Sequence, residues 1–266
     1  MTRWPLLAIL LAGAFALPAQ AQTSTADGIA QYRALLADGN PAELWEAKGE
    51  LLWKQPRGSK NVSFEKSCDL GKGTGVVKGA FVELPRYFAD TRRVQDLESR
   101  LLSCMETQGF NAAEIAATPF GRGEQVNIEA LVAFISAESR GMKFKLSQAH
   151  PEERKMFEVG KRLFYFRGGP YDFACASCHG ESGKRIRLQD LPDLTRNPGD
   201  GVGFAAWPAY RVSSGELWSM QRRLNDCYRQ QRFPFPGYAS DATIALSTFM
   251  GVQGQGAVSI APAIKR

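Results

Sequence analysis

The apolar positions of this chain fall into two series that match each other in order and spacing. Each opens with a glycine followed three and four residues on by a leucine and an aromatic: Gly49, Leu52 and Trp53 in the first, Gly160, Leu163 and Phe164 in the second. Residues at that spacing share one face of a helix, so each pattern predicts a short amphipathic helix. A cysteine stands at nearly the same distance beyond each, Cys68 or Cys178. A middle block follows, in which Arg100, Leu101, Cys104, Gln108 and Phe110 match Arg223, Leu224, Cys227, Gln231 and Phe233. The closing block carries Leu-x-x-Phe, at Leu131 and Phe134 and again at Leu246 and Phe249. Three blocks in one order mark an internal duplication of a small helical unit. A proline, Pro151, interrupts the helical pattern between the copies, which places a linker near residues 147–151.

Ahead of the repeats, Arg3 precedes an apolar run over residues 5–17 and the small-residue triplet Ala19-Gln20-Ala21. This is the layout of a secretory signal peptide cleaved after Ala21, and the run is shorter than the roughly 20 residues that cross a bilayer. Export to the periplasm is the expectation. The expected organisation is a signal peptide over 1–21, an arm over 22–48 that packs on a partner, a first domain over 49–147 and a second over 148–266.

At 266 residues the chain suits two small domains, and 44% hydrophobic with 23% charged residues is an ordinary globular balance. The net charge is +6, and signal cleavage removes one basic residue, Arg3. The basic residues are scattered apart from one stretch, and no nucleic-acid module is visible. An anionic small molecule or an acidic protein partner is the better match to that charge.

Five cysteines, an odd number, are present: Cys68, Cys104, Cys175, Cys178 and Cys227. Cys175-Ala-Ser-Cys178-His179 has the spacing that attaches haem c, with two thiols for the vinyl groups and an adjacent imidazole for the iron. A zinc site would need more clustered ligands, and the other histidine is His150. A thioredoxin-type pair would follow a βαβ pattern, whereas an amphipathic helix precedes this one. With one covalent haem in the second copy, the duplication reads as a mainly α protein of two tandem units resembling the cytochrome c fold, the first without haem.

Cys68 and Cys104 flank the place that haem would occupy in the first copy. The expectation is a Cys68–Cys104 disulfide, contributing roughly 2–4 kcal/mol in an oxidising compartment, with two separately buried thiols as the alternative. Cys227 is then unpaired. For the second axial position, Met220, Met250 and His150 are conventional candidates. The matched places of Cys104 and Cys227 point instead to Cys227 as the ligand. Arg222, Arg223, Arg229 and Arg232 surround it, and positive charge favours a thiolate and attracts a dianion. Arg223 lies four residues before Cys227, on the same helix face, where a guanidinium can grip an oxyanion; the plainer alternative is a solvated basic helix.

Taken together, the Cys175–His179 motif, the Arg223-Leu-Asn-Asp-Cys227 segment and the paired halves resemble the A-subunit family of the SoxXA cytochromes, over essentially the whole mature chain. The resemblance is to the one-haem type. It implies His179 and Cys227 as axial ligands, Cys227 as catalytic sulfur, often as a persulfide, and Arg223 as the residue that orients thiosulfate. It also implies an L-cysteine S-thiosulfotransferase that joins thiosulfate to a cysteine of the SoxYZ carrier, passing electrons to a SoxX cytochrome in a heterodimer. Two other readings stand beside it. One is a plain electron-transfer cytochrome with Met220 or Met250 on the iron, and the other is a haem-bearing interaction or sensor subunit for an acidic partner.

Overall fold

The computed structural model describes residues 27–265 except 29, 30, 33, 36–38, 187, 188 and 197–201. The expected signal peptide, and most of the early part of the expected arm, lie outside the described residues. Ten α-helices and seven short strands occur among the described residues: α1 Ala42–Lys54, α2 Phe64–Ser67, β1 Arg86–Phe88, β2 Arg93–Gln95, α3 Leu97–Thr107, α4 Ala112–Ala117, α5 Glu124–Ala137, α6 Pro151–Tyr165, α7 Cys175–His179, β3 Arg185–Ile186, β4 Gln189–Asp190, α8 Val202–Ala205, β5 Ala209–Arg211, β6 Glu216–Trp218, α9 Met220–Gln230, α10 Asp241–Gln253 and β7 Ala263–Lys265.

The two opening patterns are helices, and each crosses the closing helix of its own copy. A side chain on Gly49 would stand 2.0 Å from the Ala130 carbonyl oxygen, and one on Gly160 would stand 1.9 Å from that of Ala245. Only a residue without Cβ permits that approach, which is why a glycine opens both patterns. The aromatic four residues on then enters the core: Trp53 stacks on Phe64 and Phe164 packs against Phe249. Helix α1 begins at Ala42, so the arm expected to end at residue 48 runs into this helix.

The duplication is longer than the middle block. Residues 85–110 superpose in sequence on 208–233 without a gap, each segment giving a proline, an antiparallel hairpin, a polar N-cap and a helix. Asp96 caps α3 by accepting from the Ser99 amide at 2.9 Å, and Ser219 caps α9 by accepting from the Arg222 amide at 3.2 Å. The second hairpin gains a strand that the first lacks. β7, from the C-terminal tail, runs parallel to β5 and pairs Lys265 with Arg211.

Cys68 and Cys104 form a disulfide within the core of the first unit, beside Phe64, Leu101 and Met105. The segment around the expected linker packs more than a linker need do: Phe144 and Leu146 are buried in the second core with Phe204 and Phe249. Helix α6 then starts at Pro151, with His150 and Glu153 forming its capping box.

Polar contacts join the two units around the N-termini of α3 and α9. Gln221 donates its side-chain amide to Asp96 at 2.6 Å and its backbone amide to Glu98 at 3.3 Å, and the Tyr238 hydroxyl donates to Glu98 at 3.0 Å. Arg222 pairs across the junction with Glu129 at 2.8 Å and also holds Glu216. Burial, with Asp96 alongside, pushes the Glu98 carboxyl up to about 8, and burial pushes Glu129 up to about 7 against the pull of Arg222. A folded-state value above the unfolded one means the folded protein holds the proton more tightly. The stability these groups contribute is complete below the ordinary carboxylate value and is lost as pH rises through 7 to 8. Urea stability is therefore expected to fall between about pH 5 and pH 8.5, and Glu98→Gln to flatten that slope. Identical profiles for variant and parent would remove Glu98 as its source.

Candidate functional site

The haem motif sits on α7, a helix of one turn held at its N-terminal end by two local bonds. Ser177 donates its amide to the Ala174 carbonyl and Ala174 donates its own to the Ser177 hydroxyl, at 3.0 and 2.9 Å. Cys175, Cys178 and His179 thereby present their side chains from one turn, and all three are half-buried. His179 Nδ1 lies 2.9 Å from the Pro192 carbonyl oxygen. A carbonyl only accepts, so Nδ1 carries the proton and Nε2 keeps its lone pair, the state a metal-binding imidazole needs. Burial, with Arg223 nearby, also lowers the His179 pKa and favours the neutral ring.

Opposite this turn lies a cavity of about 280 Å³ lined by Cys175, His179, Arg211, Arg223 and Cys227 together with apolar Phe164, Leu194, Leu224, Leu246 and Met250. Cys227 comes from the middle of α9. Its charged form would interact with that of Cys178, and burial pushes its thiol up while Arg223 pulls it down. Burial pushes the Cys175 thiol up to about 12, with Cys227 contributing. Of the three unpaired sulfurs, Cys175 and Cys227 line this cavity, and Cys178 stands on the same turn as Cys175. In the first unit the counterparts of Cys178 and Cys227, Cys68 and Cys104, are joined in a disulfide.

These residues fit a haem c group. Cys175 and Cys178 would supply the two thioethers, His179 and Cys227 could ligate the iron, and the apolar side chains of the wall suit a flat macrocycle. Met220 and Met250 also line the cavity. His150 does not: it stacks on Tyr87 with ring centres 3.6 Å apart and accepts from the Glu152 amide, so its place is the junction between the units.

The arginines around Cys227 are less available than their number suggests. Asp226 accepts from Arg223 at 2.9 Å and from Arg229 at 2.7 Å, and Arg222 is taken up by Glu129 and Glu216. Arg223 is the member of that stretch that lines the cavity. Two further basic residues line it, Arg211 from β5 and Lys265 from β7, and neither is marked by any local sequence pattern. The signal that could have found Arg211 is the extended repeat, which sets it opposite Phe88 of the first copy.

Two cytochrome c-like units, one closed by a disulfide and one with a Cys/His-lined cavity, define a tandem c-type cytochrome. Residues 48–144 match the family model described as SoxA/TsdA, cytochrome c domain. The chain belongs to the SoxA family: it is 53% identical over 239 residues to the L-cysteine S-thiosulfotransferase subunit SoxA of Hydrogenophilus thermoluteolus, covering 90% of this chain and 87% of that one. It is 34% identical to the subunit of the same name from Hydrogenobacter thermophilus, covering 85% and 82% of the two chains. The crystal structure of SoxXA from P. pantotrophus shares the fold, with a TM-score of 0.72 at 22% identity over 89% of this chain and 84% of that one.

Proposed function

We propose that this chain is the SoxA subunit of an L-cysteine S-thiosulfotransferase with one covalent haem c. The observation that carries the proposal is the convergence of Cys227 and Arg223 with the Cys175–His179 turn on one cavity. In this reading Cys175 and Cys178 would hold the haem and His179 and Cys227 would ligate its iron, and the mature chain comprises a haemless unit to residue 147 and a haem unit from 148. No helix among the described residues is long and apolar enough to cross a membrane. With the amino-terminal signal pattern, this fits a periplasmic protein.

Thiosulfate is a dianion with a sulfonate end and a nucleophilic sulfur end. Arg223 supplies a guanidinium whose forked donors match sulfonate oxygens, and its side chain stays oriented by Asp226. Cys227 presents its sulfur, carried as the thiol or as a persulfide, from the same wall of the cavity. The apolar side chains of the lining lower the local dielectric and strengthen the attraction between Arg223 and an anion. Overall, thiosulfate and a carrier-protein thiol give a cysteine S-thiosulfonate, one proton and two electrons. Haem, when bound, supplies a one-electron acceptor next to this chemistry. One such centre takes only one of the two electrons, which gives a second cytochrome, SoxX, and the SoxYZ carrier their places as partners.

The test uses holoprotein matured with haem attachment. Intact mass and peptide mapping are expected to place one haem on Cys175 and Cys178. Mixed with its partner cytochrome and carrier, the protein is expected to reduce haem only when thiosulfate is added, with a matching mass gain on the carrier cysteine. Haem reduction without a mass gain on the carrier would favour the electron-carrier reading.

A further inference from the structure

The gapless match between residues 85–110 and 208–233 allows the cavity arginines to be compared with their counterparts in the haemless unit, position by position. Arg223 corresponds to Arg100. Arg100 is buried and fully engaged: its Nε donates to the Asp69 carbonyl at 2.7 Å, and its Nη1 donates to both oxygens of Asp90 at 2.8 and 3.0 Å. The ring of Phe88 covers its guanidinium, with 4.0 Å between the guanidinium carbon and the ring centre. That is a self-contained structural arginine, with its countercharge supplied from inside the unit.

In the haem unit both of those neighbours have changed. The place of Asp90 is taken by Ser213, and the place of Phe88 by Arg211. The carboxylate partner of Arg223 is instead Asp226 of its own helix, at 2.9 Å and shared with Arg229, and a second guanidinium stands where the covering ring was. Arg211 forms no ion pair among the described residues, and its buried Nε has no hydrogen-bond partner there. It lines the same cavity as Arg223 and Cys227, with Trp218 beneath it at 5.1 Å. Burial and the charge of Arg223 both lower its pKa, so the two guanidiniums already repel each other. Two such groups in a half-buried site, one with a buried unmatched donor, gain most from an anion that bridges them.

We propose that Arg211 is a second substrate-binding residue of this cavity, which with Arg223 grips the sulfonate end of thiosulfate. The inference rests on the thiosulfate reading above and adds to it. Arg211 accounts for selection of a tetrahedral oxyanion, since two forks engage its oxygens where one would leave it free to rotate. The same guanidinium chemistry could be drawn to a carboxylate of the haem, and the measurements separate the two sources.

Holoprotein with Arg211→Gln and Arg211→Lys is compared with the parent for steady-state kinetics, thiosulfate binding by calorimetry, the visible spectrum and the haem midpoint potential. Losing one charge-assisted bond is expected to raise KM and weaken thiosulfate binding about 10- to 100-fold in Arg211→Gln, with kcat changed far less. Arg211→Lys is expected to recover part of the loss, and spectrum and potential to stay as in the parent. If KM and binding stay within about twofold of the parent, the inference is wrong even though the functional reading stands. A shifted potential or spectrum with unchanged thiosulfate binding overturns it too, and assigns Arg211 to the haem carboxylate. If the parent protein neither binds nor turns over thiosulfate, the functional reading itself fails, and the inference with it.

Discussion

Replacing Cys227 by alanine is expected to lower thiosulfate-dependent modification of the carrier cysteine at least about 10³-fold, with haem still attached and the fold intact. The size follows from chemistry that no neighbour can supply. Of the five cysteines, Cys68 and Cys104 are joined and Cys175 and Cys178 belong to the attachment motif, so Cys227 is the remaining sulfur on the cavity wall. Alanine leaves the anion contacts of Arg223 and Arg211 in place, so thiosulfate is expected to bind with near-parent affinity while turnover is lost. Haem content by absorbance and carrier modification by mass spectrometry check the two halves of the prediction. Carrier modification within about tenfold of the parent would remove Cys227 as the catalytic sulfur, and an unchanged haem spectrum in that variant would give the axial position to Met220 or Met250, both of which line the cavity.

The second large effect concerns stability. Removing the Cys68–Cys104 link, as Cys68→Ala with Cys104→Ala, is expected to lower the unfolding free energy by about 4 kcal/mol. The bond closes a loop with a sequence separation of 36, and the chain entropy it removes from the unfolded state accounts for most of that figure. Both sulfurs lie in the core of the first unit, which carries no CxxCH motif. Urea unfolding with and without reductant checks it: reduced parent and variant should coincide, both well below the oxidised parent. A difference under about 1 kcal/mol would mean that packing, rather than the crosslink, holds this unit together.

The haem motif was legible because its chemistry is contiguous. Cys175, Cys178 and His179 fall within one helical turn, so spacing alone puts three side chains together. The disulfide was legible for another reason. Duplication gave Cys68 and Cys104 counterparts in a haem-binding copy, and homologous positions keep their relative places even when the cofactor is lost. The helix-opening glycines could be recognised as a pattern, but their cause, a backbone carbonyl 1.9 to 2.0 Å from where a Cβ would be, appears only when the helices cross.

The amino-acid sequence by itself thus determined the helical repeats, the single haem-attachment motif, the paired cysteines and Cys227 as the odd sulfur. What only the tertiary structure decided is which charges remain open to a ligand. Reading along α9 shows a run of arginines, yet Glu129 from the other unit and Glu216 from β6 claim Arg222, while Asp226 orients Arg223 and Arg229. Arg211 and Lys265 reach the cavity through the pairing of β5 with the C-terminal β7, which joins segments more than fifty residues apart. Periodicity reports the face a residue occupies on its own element. It carries no information on which distant carboxylate meets a guanidinium, and in a half-buried site that pairing sets the charge a substrate encounters.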